Sequence, residues 1–389
     1  MTFPARFWMS FCRTTIGCLA LSVLASCATL PRRSFTQIDQ ANATVAGIPN
    51  ARFWADDPAG LNAAAAVPHK GAANAMLALS GGGDGGAYGA GFLNGWTRSG
   101  QRPEFSIVTG VSTGALIAPF AFLGPRYDDQ LKAAFTSIGP HNIYKNRFPL
   151  AIPFSLSVAR TKPLWQMINV YYSDAIIDQI AREHRNGRRL FVSTSNLDAQ
   201  RGVIWNMGVI AASNAPNRYD LFRRILLASC AIPAVFPPIV IETRSGAQVI
   251  REVHVDGGTF GPLLAVPPAV SAATTVAPAT RSTDLYLVVN DQLGGAFKLA
   301  NGGIVALAQR SLALATSSAA REQVTTAFLW TQQNASQFRL TYIDADFDNG
   351  APHVNFETAY MRRLYAYGVD RGMKAAWLTR PPTKNATKP

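Results

Sequence analysis

Ser112 stands in Gly110-Val111-Ser112-Thr113-Gly114, a G-x-S-x-G pentapeptide with an apolar run on either side. That spacing suits a nucleophile. A sharp strand-to-helix turn would hold the serine oxygen out at the carboxyl edge of a sheet, and glycines are needed because a Cβ would clash in so tight a bend. The helix that follows would aim its first amides and its positive dipole end at the reacting atoms. In a chain with 31 glycines the pentapeptide alone is weak, and the flanking runs are what strengthen it.

Acyl transfer at a serine also needs donors for an oxyanion. Gly81-Gly82-Gly83-Asp84-Gly85-Gly86 follows the apolar run 75–80, so backbone amides around Gly82, Gly83 and Asp84, with that of Thr113, can converge on one point. The same run satisfies the dinucleotide pattern G-x-G-x-x-G, which wants an acid at the end of the next strand. Glu104 has roughly the spacing but precedes its strand. No Lys-Ser or Lys-Thr follows the glycines, which argues against a phosphate loop. A plain glycine turn without chemistry is the remaining alternative.

A base is the third requirement, and two candidates exist. Among five histidines only His353 lies well after the candidate acids, as the chain order serine, acid, histidine demands. Alternatively, Asp256 ends a β-like run and is followed by Gly257 and Gly258, so its carboxylate could take the serine proton directly. Asp-Gly is also a common turn.

The elements that must position these groups alternate. Runs at 75–80, 104–110, 189–196, 202–207, 284–290 and 338–345 read as strands, and 174–185, 220–231, 304–333 and 357–377 as helices. This pattern predicts a three-layer α/β/α fold around a mainly parallel sheet. With 48% hydrophobic and 15% charged residues among 389, the composition is that of a globular protein rather than a disordered one.

The first residues read as an export signal: Arg6 and Arg13, then an apolar stretch 14–25 too short to span a bilayer comfortably. Leu24-Ala25-Ser26-Cys27 resembles the bacterial lipobox, which implies lipidation of Cys27 after removal of 1–26. Ala28 after that cysteine suggests the outer membrane of a double-membraned bacterium. Cys12 and Cys18 would leave with the signal, so Cys27 and Cys230 would remain, with no disulfide framework and no paired-cysteine metal site. The formal charge of +13 survives the cleavage nearly intact and favours an anionic membrane surface as partner. Residues 27–72 read as a linker or arm, although Phe53-Trp54 signals that part of it docks; 73–379 form the main domain and 380–389 a flexible tail.

Taken in order, "SGGGDGG", "GVSTG" and "VDGG" resemble the patatin-like phospholipases, and "LASCAIPAVFPPI" is similar to the segment ahead of that family's aspartate strand. The resemblance spans roughly 75–261 through its motifs and reaches more loosely to about Trp377. It implies the patatin fold and a serine lipid acyl hydrolase with a Ser-Asp dyad. Ser112 would be the nucleophile, Asp256 the base, and Gly82, Gly83 and Asp84 the oxyanion loop. The family often has Arg or Lys at the positions held here by Asp84 and Gly85, so a cationic side chain is missing from that loop.

Other features are set aside. His254 would face the same way as Asp256 on a strand and reads as a structural histidine. The loop 344–350 lacks the glycine and the final glutamate of a calcium-binding EF-hand. The aromatic cluster at 360–368 reads as helix core and rim. Nothing in the sequence supports a metal, a cofactor or a nucleic-acid partner. A Ser-His-Asp esterase using His353 and a non-catalytic envelope lipoprotein stand as alternatives to the dyad hydrolase.

Overall fold

The computed structural model describes residues 30, 32–57, 74–146, 157, 159–265, 284–294, 303–345, 347 and 355–382. The export signal, Cys27 and His353 lie outside them, as do residues 58–73 of the arm and 383–389 of the tail.

Nine strands form one sheet: β1 (Arg52–Trp54), β2 (Ala75–Leu79), β3 (Ile107–Val111), β4 (Arg189–Asn196), β5 (Arg201–Asn206), β6 (Ile239–Ser245), β7 (Gln248–Asp256), β8 (Asp284–Val289) and β9 (Phe338–Tyr342). The order along the sheet is β1-β5-β4-β3-β2-β8-β9, and the five strands from β4 to β9 run parallel. Their interiors are buried and largely apolar, as strands covered on both faces require, with Ser193, Thr194, Ser195 and Asn196 of β4 as the buried polar run beside the site. Helices α1 (Gly86–Arg98), α2 (Thr113–Leu123), α3 (Asp174–Arg185), α4 (Arg218–Ser229), α5 (Ile304–Gln333) and α6 (Thr358–Met373) complete the α/β/α layers.

Around this parallel centre the chain adds antiparallel pieces. β5 returns beside β4, and β1 closes that edge in register with β5, Arg52 opposite Trp205. The arm is therefore part of the sheet at Phe53-Trp54, and Val45, Ile48 and Ala51 are buried with the core. Phe92 and Trp96 of α1 stack edge-on to Trp377, so the segment that follows α6 caps the main core. A second apolar cluster joins α5 to β8 and β9 through Ala320, Val324 and Ala327.

Candidate active site

One edge of β4 carries two strands end to end. β3 pairs with it as far as Val111 opposite Ser193, and the next position, Thr194, faces Asp256 of the oppositely directed β7. The two strands run toward each other and stop side by side. Ser112 and Asp256 are therefore juxtaposed, and the serine Oγ donates to Asp256 Oδ2 at 2.5 Å.

The turn at Ser112 is the one the sequence pattern demands. A Cβ on Gly110 would strike the Gly114 carbonyl, and one on Gly114 would strike the carbonyl of Leu79 on the neighbouring strand. Ser112 itself sits at φ 53°, ψ −122°, a conformation that costs on the order of 1–3 kcal/mol and needs support from its surroundings. That support comes from α4. Ser229 Oγ accepts the Ser112 amide at 2.9 Å and donates to the Ser193 carbonyl at 2.7 Å, while the Cys230 thiol donates to the Ser112 carbonyl at 3.3 Å. Sequence reading assigned no role to either residue.

Asp256 is buried with both oxygens engaged, since Oδ1 accepts the Gly258 amide at 2.7 Å. Burial pushes its carboxyl up to about 7, against the downward pull of the bonds from Ser112 and Gly258. A Cβ on Gly257 would come within 2.5 Å of the Ser193 carbonyl, so this glycine lets the strand end close against β4.

The glycine-rich loop crosses above the serine. A Cβ built on Gly81 would lie 3.2 Å from Ser112 Cβ. Gly82 and Gly83 have φ of 154° and 57°, and Gly83–Gly85 form a single 3-10 turn that opens into α1 at Gly86. As first residues of that turn, Gly82 and Gly83 make no amide hydrogen bond among the described residues. Asn290, just past β8, fastens the loop. Its Nδ2 donates to Ser80 O at 2.7 Å, its amide to Ser80 Oγ at 2.8 Å, and its Oδ1 accepts from Gly89 at 3.1 Å. A Cβ on Gly82 would run into the Asn290 carbonyl. Asp84 is buried and its carboxylate accepts the Phe356 amide at 3.4 Å. Thr113, the first residue of α2, is buried with its hydroxyl against Gly86. Glu104 pairs with Arg188 at 3.1 Å on the approach to β3, far from a dinucleotide acid's place at the strand end.

Behind Asp256 lies a fully buried polar network. Trp205 Nε1 donates to Thr194 Oγ1 at 2.7 Å, whose hydroxyl then points to His254 Nδ1 at 3.0 Å. His254 Nε2 lies 3.3 Å from Glu252, which favours the proton on that nitrogen. Burial lowers the imidazole's pKa against the upward pull of Glu252 and so favours the neutral ring. Burial opposes the charge on Glu252, yet the bonds from His254 and Arg52 outweigh it and hold that carboxyl at about 2. Arg52 comes from β1 and bonds Glu252 through both terminal nitrogens. His254 is thus a structural group, as its burial beside the strand end suggested. Asp344, in the rejected calcium loop, pairs with Arg371 and accepts from Tyr367 at 3.2 Å.

The three sequence motifs thus converge on one point of the sheet edge. The family model described as Patatin-like phospholipase matches residues 77–269, the segment that holds all three. This chain is a member of the patatin-like phospholipase family, with the patatin α/β/α fold, and the family implies a lipid hydrolase. Among solved structures, VipD from Legionella pneumophila is similar at 11% identity with a TM-score of 0.42, over 79% of this chain and 67% of that one. No curated protein matches the sequence.

Proposed function

We propose that this protein cleaves carboxyl esters of lipids by a two-residue mechanism with an acyl-enzyme intermediate. The observation that carries the reading is the 2.5 Å hydrogen bond from Ser112 Oγ to Asp256 at the G-x-S-x-G turn. As Ser112 attacks the ester carbonyl, its proton passes to Asp256 Oδ2, and the carbonyl carbon becomes tetrahedral. The amides of Gly82, Gly83 and Asp84 and that of Thr113 at the start of α2 supply the oxyanion donors, and such donors are worth about 3 kcal/mol each in related chemistry. The Ser112 amide is spent on Ser229 and does not join them. Asp256 then returns the proton to the departing alcohol. Water, deprotonated by the same carboxylate, attacks the acyl carbon and frees the fatty acid and Ser112.

The geometry also explains how a carboxylate can be base enough. A carboxyl held near 7 is far closer to neutral pH than an exposed aspartate, which raises the driving force for taking a serine proton. In the same reading Cys27 carries the lipid that holds the exported protein at the outer membrane, where its substrate lies.

A fluorophosphonate probe tests the mechanism. The expected adduct maps to Ser112, is absent in Ser112→Ala, and is strongly reduced in Asp256→Asn. His353→Ala is expected to label as the wild type does. Labelling that depends on His353 would replace the dyad by a Ser-His-Asp system, and no labelling of folded protein would leave only a binding role.

A further inference from the structure

Helix α5 is longer than the sheet it covers. Its C-terminal half packs on β8 and β9, where Ala320, Val324 and Ala327 are buried against Leu285, Leu287 and Leu340. Gln323 marks the level of the catalytic rim. Its Oε1 accepts the Leu263 amide at 2.8 Å, and the adjacent Pro262 carbonyl accepts the amide of Gly81 beside Ser112. The helix begins at Ile304, roughly 19 residues earlier, so at about 1.5 Å per residue it stands about 28 Å beyond that rim. The direction is fixed by topology. β8 ends at the carboxyl edge of the sheet and α5 runs back toward the start of the parallel β9, so the first half of α5 rises from the edge that holds Ser112.

This projecting half is apolar in sequence. Nine of the twelve residues 304–315 are Ile, Val, Leu or Ala, a composition ill suited to standing in water. Leu307 and Leu314, seven residues apart and so on one stripe, are 45% and 68% exposed. Arg310 falls on the same stripe and is the only charge before Arg321; no acid occurs before Glu322. No described helix is long and apolar enough to cross a membrane, so a segment of this kind is suited to lie along a lipid surface.

We propose that residues 304–317 of α5 dock the enzyme on the surface of an anionic phospholipid bilayer. Leu307 and Leu314 enter the acyl boundary, and Arg310 sits at the lipid phosphates. A helix half lying on the bilayer keeps the rim from which it rises, with Ser112, beside the layer that holds the substrate. The inference rests on the acyl-hydrolase reading for the purpose of the contact, and on the helix alone for the contact itself. Charge complementarity selects lipid over other occupants, because the only charge of the segment and the +13 of the whole chain have the sign that anionic headgroups attract.

The test is flotation of the full chain carrying Cys27→Ser, which removes the expected acylation site, with vesicles of phosphatidylcholine alone or with added phosphatidylglycerol. The protein is expected to float with the anionic vesicles. In Leu307→Asp/Leu314→Asp the bound fraction should fall by more than about tenfold in partition coefficient. Arg310→Glu should weaken the preference for phosphatidylglycerol, and added salt should remove it. Equal flotation of the double leucine variant overturns the proposal. So does a change in sedimentation mass without a change in flotation, which assigns this face to a second copy of the chain. Turnover of a soluble short-chain ester in the same preparations reports on Ser112 alone, so failure of the hydrolase reading and failure of the docking are told apart.

Discussion

Ser112 and Asp256 lie 144 residues apart in sequence, yet they occupy adjacent positions along a single edge of β4. The dyad distance is therefore set by strand register rather than by loops. Slipping either strand by one residue would turn its catalytic side chain to the other face.

The pH dependence follows from the buried carboxylate. In the proposed mechanism Asp256 acts as the base and must be ionised, so kcat/KM on a soluble ester is expected to rise with pH and level off above about 7. Asp256→Asn should lower it by roughly a thousandfold at pH 8. The folding signature has the opposite slope. A carboxyl raised from 3.8 to about 7 binds its proton more tightly in the fold, so stability is full below pH 4 and declines as pH rises through 7. Urea denaturation of Asp256→Asn should therefore show a gain of roughly 3–5 kcal/mol over wild type at pH 8 that vanishes at pH 4.

Ser229 supports the strained serine without touching substrate. Ser229→Ala leaves the Ser112 amide and the Ser193 carbonyl unpartnered in the interior, a loss of about 1–3 kcal/mol. The expected kinetic result is a kcat lowered by about tenfold or more with KM nearly unchanged, because the nucleophile is misplaced while the lipid contacts persist. A change confined to melting temperature would make Ser229 merely structural.

Gly82 and Gly100 separate conformational cost from close approach. Both have positive φ, 154° and 72°, but a Cβ on Gly82 meets the Asn290 carbonyl while one on Gly100 meets nothing within 4 Å. Gly82→Ala should displace the oxyanion loop and lower the fluorophosphonate labelling rate by about a hundredfold. Gly100→Ala should cost about 1 kcal/mol in chemical denaturation and leave labelling intact.

The arm is fastened by charge in the interior. Removing Arg52 strands the Glu252 carboxylate beside neutral His254, so Arg52→Met should destabilise the fold by roughly 3–5 kcal/mol at pH 7, measured by urea denaturation. His254 adds an acid limb. Its pKa is lowered in the fold, so the unfolded chain takes up the proton first, and stability is lost as pH falls below 6.5.

What could be read from the sequence was what the backbone forces on residue type. Gly110 answers a steric demand within its own turn, Gly114 and Gly257 mark where the chain closes against a neighbouring strand, and the parallel strands announce themselves as mainly apolar runs. Ser229 and Asn290 gave no such signal, because a serine or an asparagine becomes a support only through partners distant in sequence, here Ser112 and Ser193 for the first and Ser80 and Gly89 for the second. β1 escaped for another reason. Three residues carry no periodicity, and their place on the sheet edge depends on Arg52 finding Glu252 across the fold. The length of α5 was legible at 304–333, but its projection is visible only once the strands it spans are known to be short.

Under the proposed mechanism, the head-on meeting of β3 and β7 would also govern when the protein becomes chemically competent. Until residue 256 has been synthesised, delivered and zipped onto β4, Ser112 has a turn but no base. In that mechanism a chain in which β7 has not yet paired with β4 would be inert toward esters.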